Sequence, residues 1–134
     1  MVGIDRDPVT ALLAEANLQG MAEFGLIKDW AVRSEDVLQT PLADFAAWHI
    51  DPDRRPTGRH TTRWNLPAPP LEVIDRLLAR NPNAGIKLAP GAEVPAAWHE
   101  AAELEWISRD GQCRQLVAWF GNLRQNSGGR RASV

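Results

Sequence analysis

Acidic and basic side chains are concentrated between His49 and Arg63, where they could bind a ligand. An apolar run that ends at Ile50 is followed directly by Asp51-Pro52. A basic segment comes next, consisting of Arg54, Arg55, Arg59, His60 and Arg63. Ligands of open α/β sheets bind beyond the carboxyl ends of strands, and guanidinium groups bind phosphate or carboxylate through paired hydrogen bonds. The segment therefore predicts a ligand site at a strand end, with an anionic partner.

The same residues also have a simpler structural interpretation, which the sequence leaves open. An acid before proline is an ordinary turn at a strand end, and Asp5 could equally serve only as part of a helix entry. The arginines could form a solvated loop that balances Asp51 and Asp53. His60 and His99 have no neighbours at metal-ligand spacing, so no metal site is predicted.

The composition limits the classes of protein to consider. The chain has 134 residues, 44% of them hydrophobic and 24% charged, which predicts one ordinary globular domain. A net charge of −2 excludes nucleic-acid binding by bulk charge, so any anion site must be local. The single cysteine, Cys113, excludes an internal disulfide and indicates a reducing compartment. No apolar run approaches membrane-spanning length, and we expect a cytoplasmic protein.

The first half of the chain predicts a strand, a helix and two further strands. A strand over 2–4 ends at Asp5, and Pro8 opens a helix that Asp7 caps. Val9, Leu12, Leu13 and Ala16 trace one apolar face of that helix. Further strands are predicted over 30–33, followed by Glu35-Asp36, and over 46–50. The long loop over 54–69 has no periodicity and is typical of functional or mobile segments.

The second half predicts a helix, a buried strand and a hairpin. The helix begins after Pro69-Pro70, the strand covers 85–89, and Asp110-Gly111 joins two alternating runs. We expect an α/β domain over 1–125, with parallel strands and an antiparallel C-terminal hairpin. Residues 126–134 are predicted to form a flexible tail or linker.

Several segments in this order resemble a known family. They are 3–8, 14–17, 51–55 with its Asp-Pro-Asp-Arg-Arg, 67–71, 85–91, 103–108 and 130–132. The chain resembles a class I S-adenosylmethionine-dependent methyltransferase, of the bacterial branch with a THUMP-like C-terminal segment. The resemblance implies a Rossmann-like sheet whose strands stand in the order third, second, first, fourth, fifth, seventh, sixth.

The resemblance also assigns roles to individual residues. Asp5 is expected to bind the ribose hydroxyls of S-adenosylmethionine, and Asp36 to face its adenine. Asp51, Pro52 and Arg54 are expected to line the position of methyl transfer. An RNA or another anionic substrate would be bound by Arg55, Arg59 and Arg63.

One part of the family pattern is missing. The sequence contains no Gly-x-Gly, the pattern of the loop that cradles the methionine part of the cofactor, and it begins at the family's second strand. We therefore expect a truncated, partial Rossmann-like fold without the first strand and its glycine-rich loop, and a methyltransferase fragment that is inactive alone. The alternative is a non-catalytic α/β binding or assembly module. The substrate and the oligomeric state stay open.

Overall fold

The computed structural model of the protein describes residues 1–52, 69–126 and 128–134. These residues form two compact units, Met1–Pro41 and Leu42–Val134. The division follows strand pairing, which no local sequence pattern reports. Both units are mixtures of helix and strand, so the expected α/β class is confirmed at that level.

The first unit is a strand–helix–strand arrangement. Strand β1 (Val2–Asp5) is followed by helix α1 (Pro8–Glu23) and strand β2 (Ala31–Ser34), and a 3₁₀ turn covers Val37–Gln39. The strands are parallel, with Val2 opposite Ala31 and Asp5 opposite Ser34. Because both strands run the same way, the residues that follow Asp5 and Ser34 lie at one edge of this small sheet.

Helix α1 begins where the sequence predicts. The Asp7 carboxylate accepts hydrogen bonds from the Val9 amide at 3.1 Å and the Thr10 hydroxyl at 2.8 Å, which satisfies donors at the helix start. These bonds lower the pKa of Asp7, with the Thr10 hydroxyl the main cause. Gly25, at φ 69°, follows the last turn in the left-handed conformation that favours glycine.

The apolar residues of α1 are largely exposed. Ala11 is its buried residue, whereas Val9, Leu12 and Leu13 each expose more than 60% of their surface. The apolar face traced from the sequence is thus present but uncovered within the described residues.

The second unit is built on a five-stranded mixed sheet. Its strands are β3 (Trp48–Ile50), β4 (Ala84–Leu88), β5 (Glu103–Arg109), β6 (Gln112–Trp119) and β7 (Arg130–Ser133). They stand in the order β3-β4-β6-β5-β7. β3 is parallel to β4 and β7 is parallel to β5, whereas β6 is antiparallel to both its neighbours. The helices are α2 (Leu71–Arg80) and the short α3 (Trp98–Ala101).

The core of this unit lies between the sheet and its helices. Ile74 and Leu77 of α2 are fully buried, as the periodicity of that helix predicts. The sheet contributes Ile86, Leu88, Leu104, Leu116 and Ala118. Trp98 meets Phe120 edge to face with ring centroids 5.0 Å apart, a favourable aromatic geometry.

The hairpin between β5 and β6 is confirmed. Asp110 and Gly111 both have positive φ, 54° and 72°, as the tight turn that joins right-handed twisted strands requires. The segment 126–134 differs from its prediction as a tail, because Arg130–Ser133 form the edge strand β7. Two long-range contacts, the ladder with β5 and the ion pairs of Arg131, determine this strand.

Candidate functional site

Asp51 and Pro52 lie directly beyond the carboxyl end of β3, as predicted. Ile50 is opposite Ile86 in the parallel ladder, so Asp51 comes level with Lys87 of β4. The ammonium group of Lys87 donates a hydrogen bond to Asp51 Oδ2 at 2.5 Å. The two side chains are 30% and 47% exposed, while Pro52 is buried. The strand end therefore presents a solvent-accessible carboxylate that is already paired with a cation.

Two asparagines fix the start of β3 and thereby place Asp51. Asn81 is buried, and its side-chain amide donates to the carbonyl oxygens of Leu42 and Phe45 at 2.9 and 2.8 Å. Its own backbone carbonyl accepts the indole N–H of Trp48 at 2.8 Å. Asn83 adds a bond from its side-chain amide to the carbonyl of Ala46 at 3.0 Å. Buried polar groups with satisfied partners hold a single arrangement, so this end of β3 is firmly positioned.

The turn after β4 lies at the same edge of the sheet as Asp51. It consists of Ala89, Pro90 and Gly91, and the Ala92 amide donates to the carbonyl of Ala89 at 3.0 Å. The indole N–H of Trp106 donates to the carbonyl of Pro90 at 3.2 Å. This hydrogen bond connects the turn to β5, although Pro90 and Trp106 are 16 positions apart in the chain.

Asp5 and Asp36 lie together at one edge of the first unit. Asp5 is the last residue of β1, and Asp36 follows β2 by two positions. Asp5 Oδ1 accepts the Asp7 amide at 2.8 Å, and Asp36 Oδ1 accepts the Leu38 amide at 2.9 Å. Both carboxylates therefore shape the turn that follows their strand. A carboxylate has several acceptor positions, so such a turn bond does not exhaust its capacity to bind hydroxyl or amino groups.

The remaining predicted site residues lie outside the described residues. These are Arg54, Arg55, Arg59 and Arg63, together with His60. Asp51 and Pro52 lie at a strand end of the second unit, and Asp5 and Asp36 lie at the matching ends of the paired strands of the first unit. The basic partner that it gives to Asp51 is Lys87, a residue that the sequence analysis did not select.

A buried ionic cluster on β5 and β7 was also missed from the sequence. Glu103 and Glu105 are 1% and 7% exposed, and Arg131 lies against both of them. Its guanidinium donates to Glu105 Oε2 at 2.8 Å and is 3.4 Å from Glu103 Oε1. Glu105 also accepts the Trp119 indole N–H at 2.7 Å and the Ser133 hydroxyl at 2.6 Å. Glu103 accepts the backbone amides of Gln125 and Asn126.

These contacts decide the ionisation of the cluster. The Arg131 hydrogen bond, opposed by burial and assisted by Ser133 and Trp119, holds the pKa of Glu105 at about 2. For Glu103, burial raises the pKa, but the two backbone amides and Arg131 outweigh it and the net direction is downward. The hydrogen bond to Glu105 raises the pKa of Arg131 in turn. The available sequence signal was two acids at alternating positions of an otherwise apolar strand, with a pair of arginines downstream.

Two other properties bear on the site. Across the described ranges, His, Cys, Asp and Glu side chains form no group of three that could hold a metal ion. None of the helices in that part of the chain has the length and apolarity needed to cross a membrane. No known protein-family model matches the chain, and no curated protein matches it either.

Proposed function

We propose that this chain is part of a class I S-adenosylmethionine-dependent methyltransferase domain and is inactive alone. The observation that carries the proposal is the strand order of the second unit. If β1 is the family's second strand, then β3, β4, β6 and β5 are its fourth, fifth, seventh and sixth. The family order lists them in that sequence, and these four strands have the same order in the sheet, with β6 antiparallel. Strand β7, beyond β5, has no counterpart in the family order.

The first unit supports the proposal independently. On the same numbering, β2 and β1 are the third and second strands, which are neighbours in the family order, and they pair here in parallel. The family's first strand would stand between the second and the fourth. Among the described strands, β1 pairs with β2 alone and β3 pairs with β4 alone, so each has one edge without a strand partner.

The residues of this chain suit the adenosine part of S-adenosylmethionine, but the chain lacks the loop that would hold the methionine part. Asp5 and Asp36, at one sheet edge, suit the ribose hydroxyls and the adenine amino group, because carboxylates accept such protons. The methionine part needs a glycine-rich backbone cradle, and the sequence has no Gly-x-Gly. The chain therefore lacks the means to position the methyl group for transfer. Asp51, Pro52 and Arg54 would line the acceptor side, with Arg55, Arg59 and Arg63 facing an anionic substrate such as RNA.

Calorimetry with S-adenosylhomocysteine tests this proposal. The chain as it stands is expected to give no binding heat. A chimera that carries the first strand, glycine-rich loop and helix of a characterised class I methyltransferase ahead of Met1 is expected to bind in the micromolar range. In that chimera, Asp5→Asn should weaken binding roughly tenfold by removing an ionic acceptor. Glu15→Gln, on the exposed surface of α1, is the matched control and should change nothing.

A non-catalytic α/β binding or assembly module is the second candidate. The Asp7 amide donates to Asp5 and the Leu38 amide donates to Asp36, and these bonds favour it, because they give both acids a structural task without any ligand. A folded chimera that does not bind S-adenosylhomocysteine would support this candidate against the methyltransferase. Micromolar binding by the unaltered chain would instead contradict the claim that the first strand is indispensable.

A further inference from the structure

Ser133 of β7 lies against an ionised, nearly buried carboxylate. Its hydroxyl donates a hydrogen bond to Glu105 Oε1 at 2.6 Å. Glu105 is 7% exposed, and Glu103, two residues earlier on the same strand, is 1% exposed. The contact depends on the hydroxyl proton, because an ionised carboxylate can only accept hydrogen bonds.

One cation holds these two carboxylates and β7 together. Arg131 donates to Glu105 and lies 3.4 Å from Glu103. Its Nε is buried without a hydrogen-bond partner, so the guanidinium is not fully satisfied even in this arrangement. One positive charge therefore compensates two negative charges where β7 pairs with β5. A further anion placed there would be repelled by the carboxylates and would weaken the pairing.

Strand β7 is one of the two short edge strands of this sheet, and such a strand can separate locally. It has four residues, and among the described strands it pairs with β5 alone. Short edge strands open locally at much lower free energy than strands in the middle of a sheet. When β7 opens, the extended segment Arg130-Arg131-Ala132-Ser133 becomes available to another protein.

That segment has the pattern that arginine-directed serine/threonine kinases accept. Such enzymes bind arginines three and two positions before the target serine through acidic side chains of their substrate cleft. While β7 is paired with β5, Arg131 forms ion pairs with Glu103 and Glu105, whereas Arg130 is exposed. A kinase would therefore compete with the two glutamates for Arg131 and act on the open form.

We propose that Ser133 is a phosphorylation site of an arginine-directed kinase and that its phosphorylation releases β7 from β5. Ser133 Oγ attacks the γ-phosphorus of ATP, the new O–P bond replaces the bond to ADP, and the hydroxyl proton leaves to a base of the kinase. The ester oxygen can no longer donate to Glu105. The phosphate adds about 1.5 to 2 negative charges at pH 7 beside two carboxylates that share one arginine.

The test is phosphorylation of the whole chain with a purified arginine-directed kinase and Mg-ATP, followed by mass spectrometry and amide hydrogen exchange. We expect one phosphate on Ser133, none at that position in Ser133→Ala, and a fall of roughly tenfold or more in protection of the β7 amides. Amides of β4 and β6 should keep their protection, which shows that the sheet remains folded. Glu105→Gln should be phosphorylated faster, because it removes one of the two carboxylates that hold Arg131 in the sheet.

Arg130→Ala is the control for recognition, since it leaves the contacts of Glu105 intact and should slow phosphorylation. Absence of phosphate on Ser133 in the unaltered chain would overturn the proposal. A phosphorylated chain whose β7 amides keep their protection would also overturn it, because Arg131 would then bind the phosphate within the closed sheet.

Discussion

Lys87 of β4 and Asp51, the residue directly after β3, form an ion pair between these two parallel strands. The pair follows from register, because Ile50 opposite Ile86 brings the next residue of each strand level. The carboxylate that the sequence selected is therefore not an isolated acid. Its charge is compensated from the neighbouring strand.

Removing the Lys87 charge should affect stability only slightly. Both side chains are partly exposed, at 30% and 47%, so solvent screens their attraction. We expect Lys87→Met to lower the free energy of unfolding by less than about 1 kcal/mol in urea titrations, and Lys87→Arg to leave it unchanged. A much larger loss in the methionine variant would mean that the pair contributes to the fold and not only to the site.

The ionic cluster of β5 and β7 should make the protein sensitive to acid. The pKa of Glu105 is about 2 in the folded protein against an ordinary value of 4.5, so its ionised form stabilises the fold above pH 4.5. This contribution is lost as the pH falls from 4.5 towards 2. The groups that face Glu105 are Arg131, Ser133 and Trp119.

Glu105→Gln isolates this effect. At pH 7 it should lower the free energy of unfolding by about 1 to 3 kcal/mol, because the amide has no negative charge for Arg131 and has one acceptor oxygen where the carboxylate has two. Below pH 4.5 the difference from the unaltered chain should shrink, as measured by chemical denaturation at several pH values. A difference that stays constant down to pH 2 would contradict the ionised state of Glu105.

Two leucines should respond very differently to truncation. Leu104 lies in the core at 2% exposure, whereas Leu12 on α1 is 65% exposed. We expect Leu104→Ala to cost about 2 to 5 kcal/mol of unfolding free energy through lost burial and a cavity. Leu12→Ala should change it by less than about 0.5 kcal/mol. A large effect at Leu12 in the isolated chain would indicate that its face is covered in solution.

Gly121 should not accept a side chain. Its φ is +57°, and a Cβ there would lie within van der Waals overlap of Asn83 Oδ1 and 2.6 Å from the Pro82 carbonyl oxygen. Gly121→Ala should therefore lower the melting temperature by several degrees, since a loss of about 1 kcal/mol moves it by about 4 to 8 °C in a small domain. Gly91→Ala, where a Cβ meets nothing within 4 Å, is the control and should melt near the unaltered chain.

Local signals in the sequence predicted most of the elements. Asp7 before Pro8 marks the start of α1, Pro70 precedes α2, and Asp110-Gly111 forms the hairpin turn. Each of these signals acts through the backbone conformation or hydrogen bonding of a few consecutive residues. Such signals depend only on consecutive residues and can be recognised without the fold. This is why the sequence could assign Asp5, Asp36 and Asp51 to strand ends.

Tertiary structure decided what depends on residues far apart in the chain. The pairing of Lys87 with Asp51 joins positions 36 apart, and that of Arg131 with Glu105 joins positions 26 apart. The sequence alone determined which charged residues lie at the ends of strands. Strand order and register decided which charges meet, because side chains come into contact only when the ladders bring their strands side by side.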